Sequence, residues 1–266
     1  MNSIKIQCPA KINLTLKVLG KRNDGFHDID SIMQTINLFD FLNISIEEAP
    51  FEKIDLTGNN PNIPYNEKNL VYKAAKLFIG KLSANKNYNI SIDITKNIPV
   101  AAGLAGGSTD AAGTIFGLNE LLKHPFNKNE LHKMCSELGS DLNFCLEGGT
   151  QQTLGRGEIL KPLDFKKKSI SLIKPINLGI SAKEAYTKFA QKSASTEVNR
   201  EKYVNDLEWA IIDDYSELQQ IKTLYPEAIM SGSGSTYFIE NNEFKETHGF
   251  WVKNNLQTIP YGVKEV

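Results

Sequence analysis

Strands and helices interleaved along the whole chain predict a protein of mixed α and β content, and three observations carry that reading. Stretches near the N-terminus and just before residue 95 alternate with the period of half-buried strands. Apolar stripes at helical spacing follow Asn or Ser residues placed as caps. Glycine-rich turns at 103–107 and 231–235 separate elements of the two kinds. The 266 residues suggest one large domain or two small ones. A chain this long buries a substantial core without disulfide or metal staples. With 41% hydrophobic and 23% charged residues it lies outside the disordered range. Lys and Arg total 30 and Asp and Glu total 31, so the net charge is −1. That balance argues against nucleic-acid and membrane partners. No apolar run reaches the ~20 residues of a membrane helix. Neither a signal-peptide core nor an Arg-rich transit pattern occupies residues 1–9. Cys8, Cys135 and Cys145 form no CxxC pair, and a reducing cytoplasm is the expected compartment.

In chain order, Ile12, Leu14, Leu16 and Val18 share one strand face, and Lys11, Asn13, Thr15 and Lys17 share the other, in a strand entered after Pro9. A turn over Gly20–Gly25 precedes two further strand-like segments, Ile29–Ile36 and Leu42–Ile46. Asn69 opens a helix through Leu70, Ala74, Leu77 and Phe78 that Gly80 closes. Tyr88, Ile90, Ile92 and Ile94 define a second clear strand. The glycine turn then runs into an Ala- and Leu-rich helix ending near Leu122. Asn127 and Glu130 stand at capping-box spacing before the stripe Leu131, Met134, Cys135 and Leu138, and Gly139 stops that helix. Ser181 and Glu184 repeat the spacing, helix is expected from about Arg200 to Tyr225, and residues 230–239 read as a turn entering a strand. Glycines at 148–149, 155 and 157 place a domain boundary near 158, giving units 1–158 and 159–266.

Five constellations could carry chemistry. Gly103–Thr109 lies between a strand and a helix, where turned backbone amides and the helix N-terminus together favour an anion such as phosphate. It matches neither Walker A nor GxGxxG, and a tight structural turn explains the glycines equally well. Lys11 and Asn13 share the polar face of a strand and can enter one cleft, although a strand lysine is more often solvated. Asp141 follows a helix stop, where capping is the commoner role. In Asp24-Gly25-Phe26-His27 a turn presents an aromatic and a histidine suited to stacking on a planar base and bonding its edge. Ser231–Ser235 is a second backbone nest or a plain hairpin turn. The histidines show no metal-ligand spacing.

Taken together, Pro9-Ala-Lys-Ile-Asn-Leu, Pro99-Val-Ala-Ala-Gly-Leu-Ala-Gly-Gly-Ser-Thr-Asp and Met230-Ser-Gly-Ser-Gly-Ser-Thr resemble the three motifs of the GHMP kinases, in order and across essentially the full chain. The resemblance implies an α+β, two-domain fold: an N-terminal domain like the second domain of ribosomal protein S5 and a ferredoxin-like C-terminal domain, with the site between them. It implies a small-molecule kinase using ATP and Mg²⁺, with ATP phosphates on Pro99, Val100, Ala101, Ala102, Gly103, Leu104, Ala105, Gly106, Gly107, Ser108 and Thr109. Asn69, Leu70 and Lys96 match nucleotide-pocket positions. Lys11 and Asp141 match the catalytic pair, and Ser108 is the best contact to Mg²⁺ or phosphate. The segments Gly20–His27, Gly139–Phe144 and Gly148–Thr150 narrow the match to a kinase of a cytidine diphosphate-linked alcohol in non-mevalonate isoprenoid precursor biosynthesis. Asn13, Phe26, His27 and Tyr186 then bind the substrate, with Phe26 and Tyr186 on either side of the base. A monomer or weak homodimer is expected. Rival readings are a homoserine- or mevalonate-type kinase of the same family, or a non-catalytic nucleotide-binding regulator. Three positions depart from the pattern. Ala105 stands where Gly is usual, which fits if its φ is negative and its methyl faces away from ATP. Phe26 replaces the commoner Tyr, and Cys8 the frequent Ser.

Overall fold

A computed structural model describes residues 2–82, 86–195 and 202–266. Two long strands, β1 (Asn2–Lys21) and β2 (His27–Ala49), pair antiparallel along their lengths. β1 begins well before Pro9, which sits at a register shift between Pro9 and Ala10. A bulge is where a strand tolerates a residue without an N–H. A second shift between Asn13 and Thr15 leaves Leu14 out of register. The two segments expected at 29–36 and 42–46 are one strand, β2, that changes partner midway. β3 (Lys53–Gly58) runs parallel to β4 (Asn87–Thr95), which pairs with residues 41–49 of β2. β5 (Thr150–Gly155) pairs with residues 29–34 of β2, and with β6 (Ile159–Pro162).

Four helices cover one face of this sheet. α1 (Leu70–Lys81) starts at Asn69, whose side chain caps the amide of Val71 at 2.9 Å. It continues one residue past Gly80. α2 (Gly106–Leu121) follows the glycine turn. α3 (Lys128–Leu138) opens on the expected capping box, with both reciprocal Asn127–Glu130 bonds formed. α4 (Leu142–Glu147) follows directly after Asp141. Their apolar faces bury Val71, Phe78, Ile115 and Leu118 against Ile6, Leu42, Ile44, Ile90 and Ile92 of the sheet.

The second sheet contains β7 (Ser169–Pro175), β8 (Ile229–Met230), β9 (Tyr237–Glu240) and β10 (Phe250–Gln257), in the order β10-β7-β9-β8 and antiparallel throughout. That is the ferredoxin-like order. Between β7 and β8 run α5 (Ala182–Ser195), α6 (Asp206–Ile211) and α7 (Ser216–Leu224). The expected start of helix near Arg200 lies outside the described residues. The connection from β9 to β10 carries no helix, where a full ferredoxin-like unit has one. The division expected at 158 falls between β5 and β6, two paired strands of the first sheet. The stretch 163–168 separates the sheets, and β11 (Lys264–Glu265) returns to pair with β1.

The sheets are joined by a third apolar cluster. Ala10, Ile12, Ile36 and Leu38 of the first meet Ile170, Leu172, Phe238 and Leu256 of the second. Further along β1, Leu16 and Val18 join the core between the second sheet and its helices. Burying such side chains contributes about 1.5–3 kcal/mol each. One strand is therefore anchored in both halves, and Lys11 and Asn13 lie on it where the halves meet.

Candidate active site

The glycine turn begins on a sealed floor. Asp40 of β2 is fully buried and accepts the amides of Asn97 at 2.6 Å and Ile98 at 2.8 Å. The Lys96 ammonium donates to Asp40 and, at 2.7 Å, to Asp110 in the first turns of α2. Two buried carboxylates thus share one ammonium. Burial, only partly offset by Lys96, raises the Asp110 carboxyl to about 7, and the nearby Asp40 charge adds to the shift. Burial opposes the Lys96 charge, but the two carboxylates outweigh it and hold its pKa above the ordinary value. Above this floor the first intrahelical amide bond of α2 runs from Thr109 to Ala105 at 2.9 Å. The amides of residues 106–108 precede it and belong to the set a helix leaves open at its N-terminus. Ala105 itself has φ +58°, not the negative value expected, and Ala101 has φ +50°.

Lys11 is 4% exposed and stands 3.5 Å from the Asp141 carboxylate. Its ammonium also donates to Asn13 at 2.6 Å, and Asn13 donates to Ser31 at 2.8 Å. Ser31 in turn donates to the Thr15 carbonyl at 2.5 Å, so the orientation of Asn13 is fixed from behind. Asp141 makes no side-chain capping bond to α4, although it precedes that helix. Its carboxylate, 28% exposed, turns to Lys11 instead. The backbone amide of Lys11 donates to the Leu104 carbonyl at 3.1 Å, tying the first motif to the second. The third motif locks onto both. Ser231 donates to the Gly103 carbonyl at 3.0 Å, and a Cβ on Gly103 would lie 2.1 Å from the Ser231 carbonyl oxygen. A Cβ on Gly232 would lie 3.1 Å from the Lys11 ammonium.

At the other end lie Phe26, His27 and Tyr186. His27 stacks on Tyr186 with ring centroids 5.2 Å apart and planes 17° from parallel. Tyr186 therefore backs the imidazole with one face of its ring. Burial, with help from Lys21, lowers the His27 pKa below its ordinary value, so the ring is neutral at pH 7 and offers one donor and one acceptor. Phe26 is 47% exposed, and the Arg156 guanidinium lies over its ring, 4.9 Å from the centroid.

These groups line one cleft of about 1010 Å³. Lys11, Asn13, Phe26, His27, Asn69, Leu70, Lys96, residues 99–108, Asp141 and Tyr186 all reach it, and Thr109 alone among the expected residues does not. Thr109 is fully buried beneath the turn. Two others arrive with their polar groups committed. Lys96 is held by its carboxylates, and Asn69 caps α1 while donating to the Pro64 carbonyl at 2.7 Å. Sequence reasoning passed over Lys21, Lys68, Arg156 and Lys183, which also line it. Arg156 carries a signal, the Gly-Arg-Gly turn, which by itself marks only a break between elements. With Lys11 and Lys96 these make, among the described residues, six cations against the carboxylates of Asp110 and Asp141, so a near-neutral chain carries a cationic cleft.

Residues 69–149 match the family model described as the GHMP kinases N terminal domain. The 4-diphosphocytidyl-2-C-methyl-D-erythritol kinase of Clostridium acetobutylicum is 38% identical over 280 aligned positions, 96% of this chain and 98% of that one. The enzyme of the same name from Prochlorococcus marinus is 46% identical over 191 residues, which span 71% of this chain and 59% of the relative's length. A crystal structure of 4-(cytidine 5'-diphospho)-2C-methyl-D-erythritol kinase superposes with a TM-score of 0.70 at 25% identity, covering 96% of this chain and 99% of that one. Homoserine kinase from Cytophaga hutchinsonii superposes with a TM-score of 0.66 at 15% identity over 100% and 98% of the two chains, a likeness of fold alone. The fold is thus the α+β, two-domain arrangement of the GHMP kinases, and with the identity extending over nearly the whole of both the clostridial chain and this one, the chain belongs to the 4-diphosphocytidyl-2-C-methyl-D-erythritol kinase family.

Proposed function

We propose that this chain transfers the γ-phosphoryl group of ATP to the 2-hydroxyl of 4-diphosphocytidyl-2-C-methyl-D-erythritol, giving the 2-phosphate and ADP. The observation that carries the proposal is the Lys11–Asp141 pair, 3.5 Å apart in a cleft with open helix amides at one end and a base-sized aromatic corner at the other. The amides of residues 106–108 and the positive end of α2 receive the triphosphate. Asp141 accepts a hydrogen bond from the acceptor hydroxyl and aims its oxygen at phosphorus. A carboxylate is a far weaker base than an alkoxide, so the proton moves late, as the oxygen–phosphorus bond forms. Lys11 stabilises negative charge on the reacting oxygens. Asn13 fixes the Lys11 ammonium. Most of the catalysis is positioning and charge neutralisation.

Mg²⁺, when bound, would supply positive charge that neutralises the phosphates. The donors fit it: the Ser108 hydroxyl and the Asp141 carboxylate both line the cleft and are the hard oxygens this ion prefers. Ser108 would hold it beside the triphosphate. At the acceptor end the cytosine stacks on the exposed ring of Phe26, and the neutral His27, backed by Tyr186, meets its hydrogen-bonding edge.

A coupled ADP-release assay with a panel of alcohols tests the reading. Release dependent on the cytidine diphosphate-linked alcohol supports it. Release with homoserine or mevalonate instead would move the chain to another small-molecule GHMP kinase, and none with any alcohol would make it a nucleotide-binding protein.

A further inference from the structure

Arg156 sits in the tight turn between β5 and β6, and three tethers fix that turn. The Arg156 amide donates to Glu158 at 2.8 Å, Asn143 of α4 donates to the Glu158 carbonyl at 3.0 Å, and Nη2 of Arg156 donates to the Ser136 carbonyl at 2.6 Å. Glu158 also lies 3.9 Å from Nε. The guanidinium is thereby held over the Phe26 ring, its central carbon 4.9 Å from the centroid, with its side chain 24% exposed. Nη1 has no partner among the described residues. Arg156, Phe26, Ser140 and Asp141 line the same cleft. A substrate with its base on Phe26 and its hydroxyl at Asp141 must pass its diphosphate between them. A planar fork with an unused N–H edge is the side chain that grips phosphate oxygens at a fixed angle.

The geometry points to Arg156 as the diphosphate-binding residue of the acceptor substrate, gripping the phosphates through Nη1 while its guanidinium rests over Phe26. The inference rests on the cytidine diphosphate reading of the cleft and gives that reading a residue outside the three motifs.

Inhibition of ADP release by CDP and by cytidine, in wild type, Arg156→Gln and Arg156→Lys, tests it. CDP inhibition in Arg156→Gln weakens by about tenfold or more, the scale of a lost charge-assisted bond, while cytidine inhibition changes far less. Arg156→Lys falls between, because charge is kept and the fork is lost. In turnover, KM for the cytidine diphosphate-linked alcohol rises more than kcat falls. Unchanged ADP binding and thermal midpoint verify that the variants fold. Equal weakening of CDP and cytidine would reduce Arg156 to a support for Phe26 and overturn the inference, as would no change in either. If wild type neither binds CDP nor turns over the cytidine substrate, the proposed function falls first and the Arg156 assignment with it. If wild type does both and Arg156→Gln matches it, only the Arg156 assignment falls.

Discussion

The floor under the glycine turn and the acceptor end of the cleft are built on opposite plans. Under the turn, Asp40, Lys96 and Asp110 are almost entirely buried, and the ammonium is consumed by partners from the chain itself. At the acceptor end, Asp141 is 28% and Phe26 47% exposed, and the guanidinium of Arg156 keeps an unused edge. In the first region charge holds the chain to itself, and on the proposed reading that leaves backbone amides for the phosphates. The second leaves side chains open, so that they can meet a substrate. On the proposed reading this division gives the phosphoryl donor a fixed seat and the acceptor an open wall.

If that division is real, the floor breaks hardest. Lys96→Met leaves two carboxylates facing each other without their cation, and stability falls by about 3–5 kcal/mol, read from the urea midpoint. A midpoint equal to wild type would mean that the floor is not one electrostatic unit. Next come the open side chains. Asp141→Asn and Lys11→Ala lower kcat by about 10²–10⁴ while ATP affinity holds. Unchanged turnover in both would remove the pair from the mechanism. A subtler cut uses pH. Folded, the Asp110 carboxyl titrates at about 7 against an ordinary 3.8. Between those values the folded chain holds a proton that the unfolded chain has lost, so stability decreases as pH rises through the window. Urea midpoints at pH 5 and pH 8 should therefore converge in Asp110→Asn relative to wild type. Above about 7 the floor also gains negative charge beneath the triphosphate, so the ATP KM of wild type rises with pH more than that of Asp110→Asn. The smallest expected effect is Ala105→Gly. It relieves a left-handed alanine and gains about 1 kcal/mol or less, with the acceptor KM unmoved.

Local pattern made one set of features legible. The Asn69 cap, the capping box of α3 and the alternation of β4 are written within a few residues, and they stand as read. The three motifs gave the cleft its residues through resemblance. What stayed hidden depends on partners distant in sequence. β2 reads as two strands because its two ends pair with β4 and β5 separately, and the alternation lapses where the partner changes. The pairing of Lys96 with Asp40 and Asp110 is equally hidden, because no local signal marks Asp40. Nothing local shows that the His27 ring stacks on Tyr186, 159 residues away in sequence. Arg156 is silent for the same reason. A hairpin turn says nothing of the ring it will cover.

The seating of Gly103 against Ser231 has one more consequence. With a hydrogen where any other residue has a carbon, the two glycine segments close like the faces of a gauge block. The fit between them is then set by a spacer one atom thick. A single methyl group there would act as a shim, prying the two segments apart.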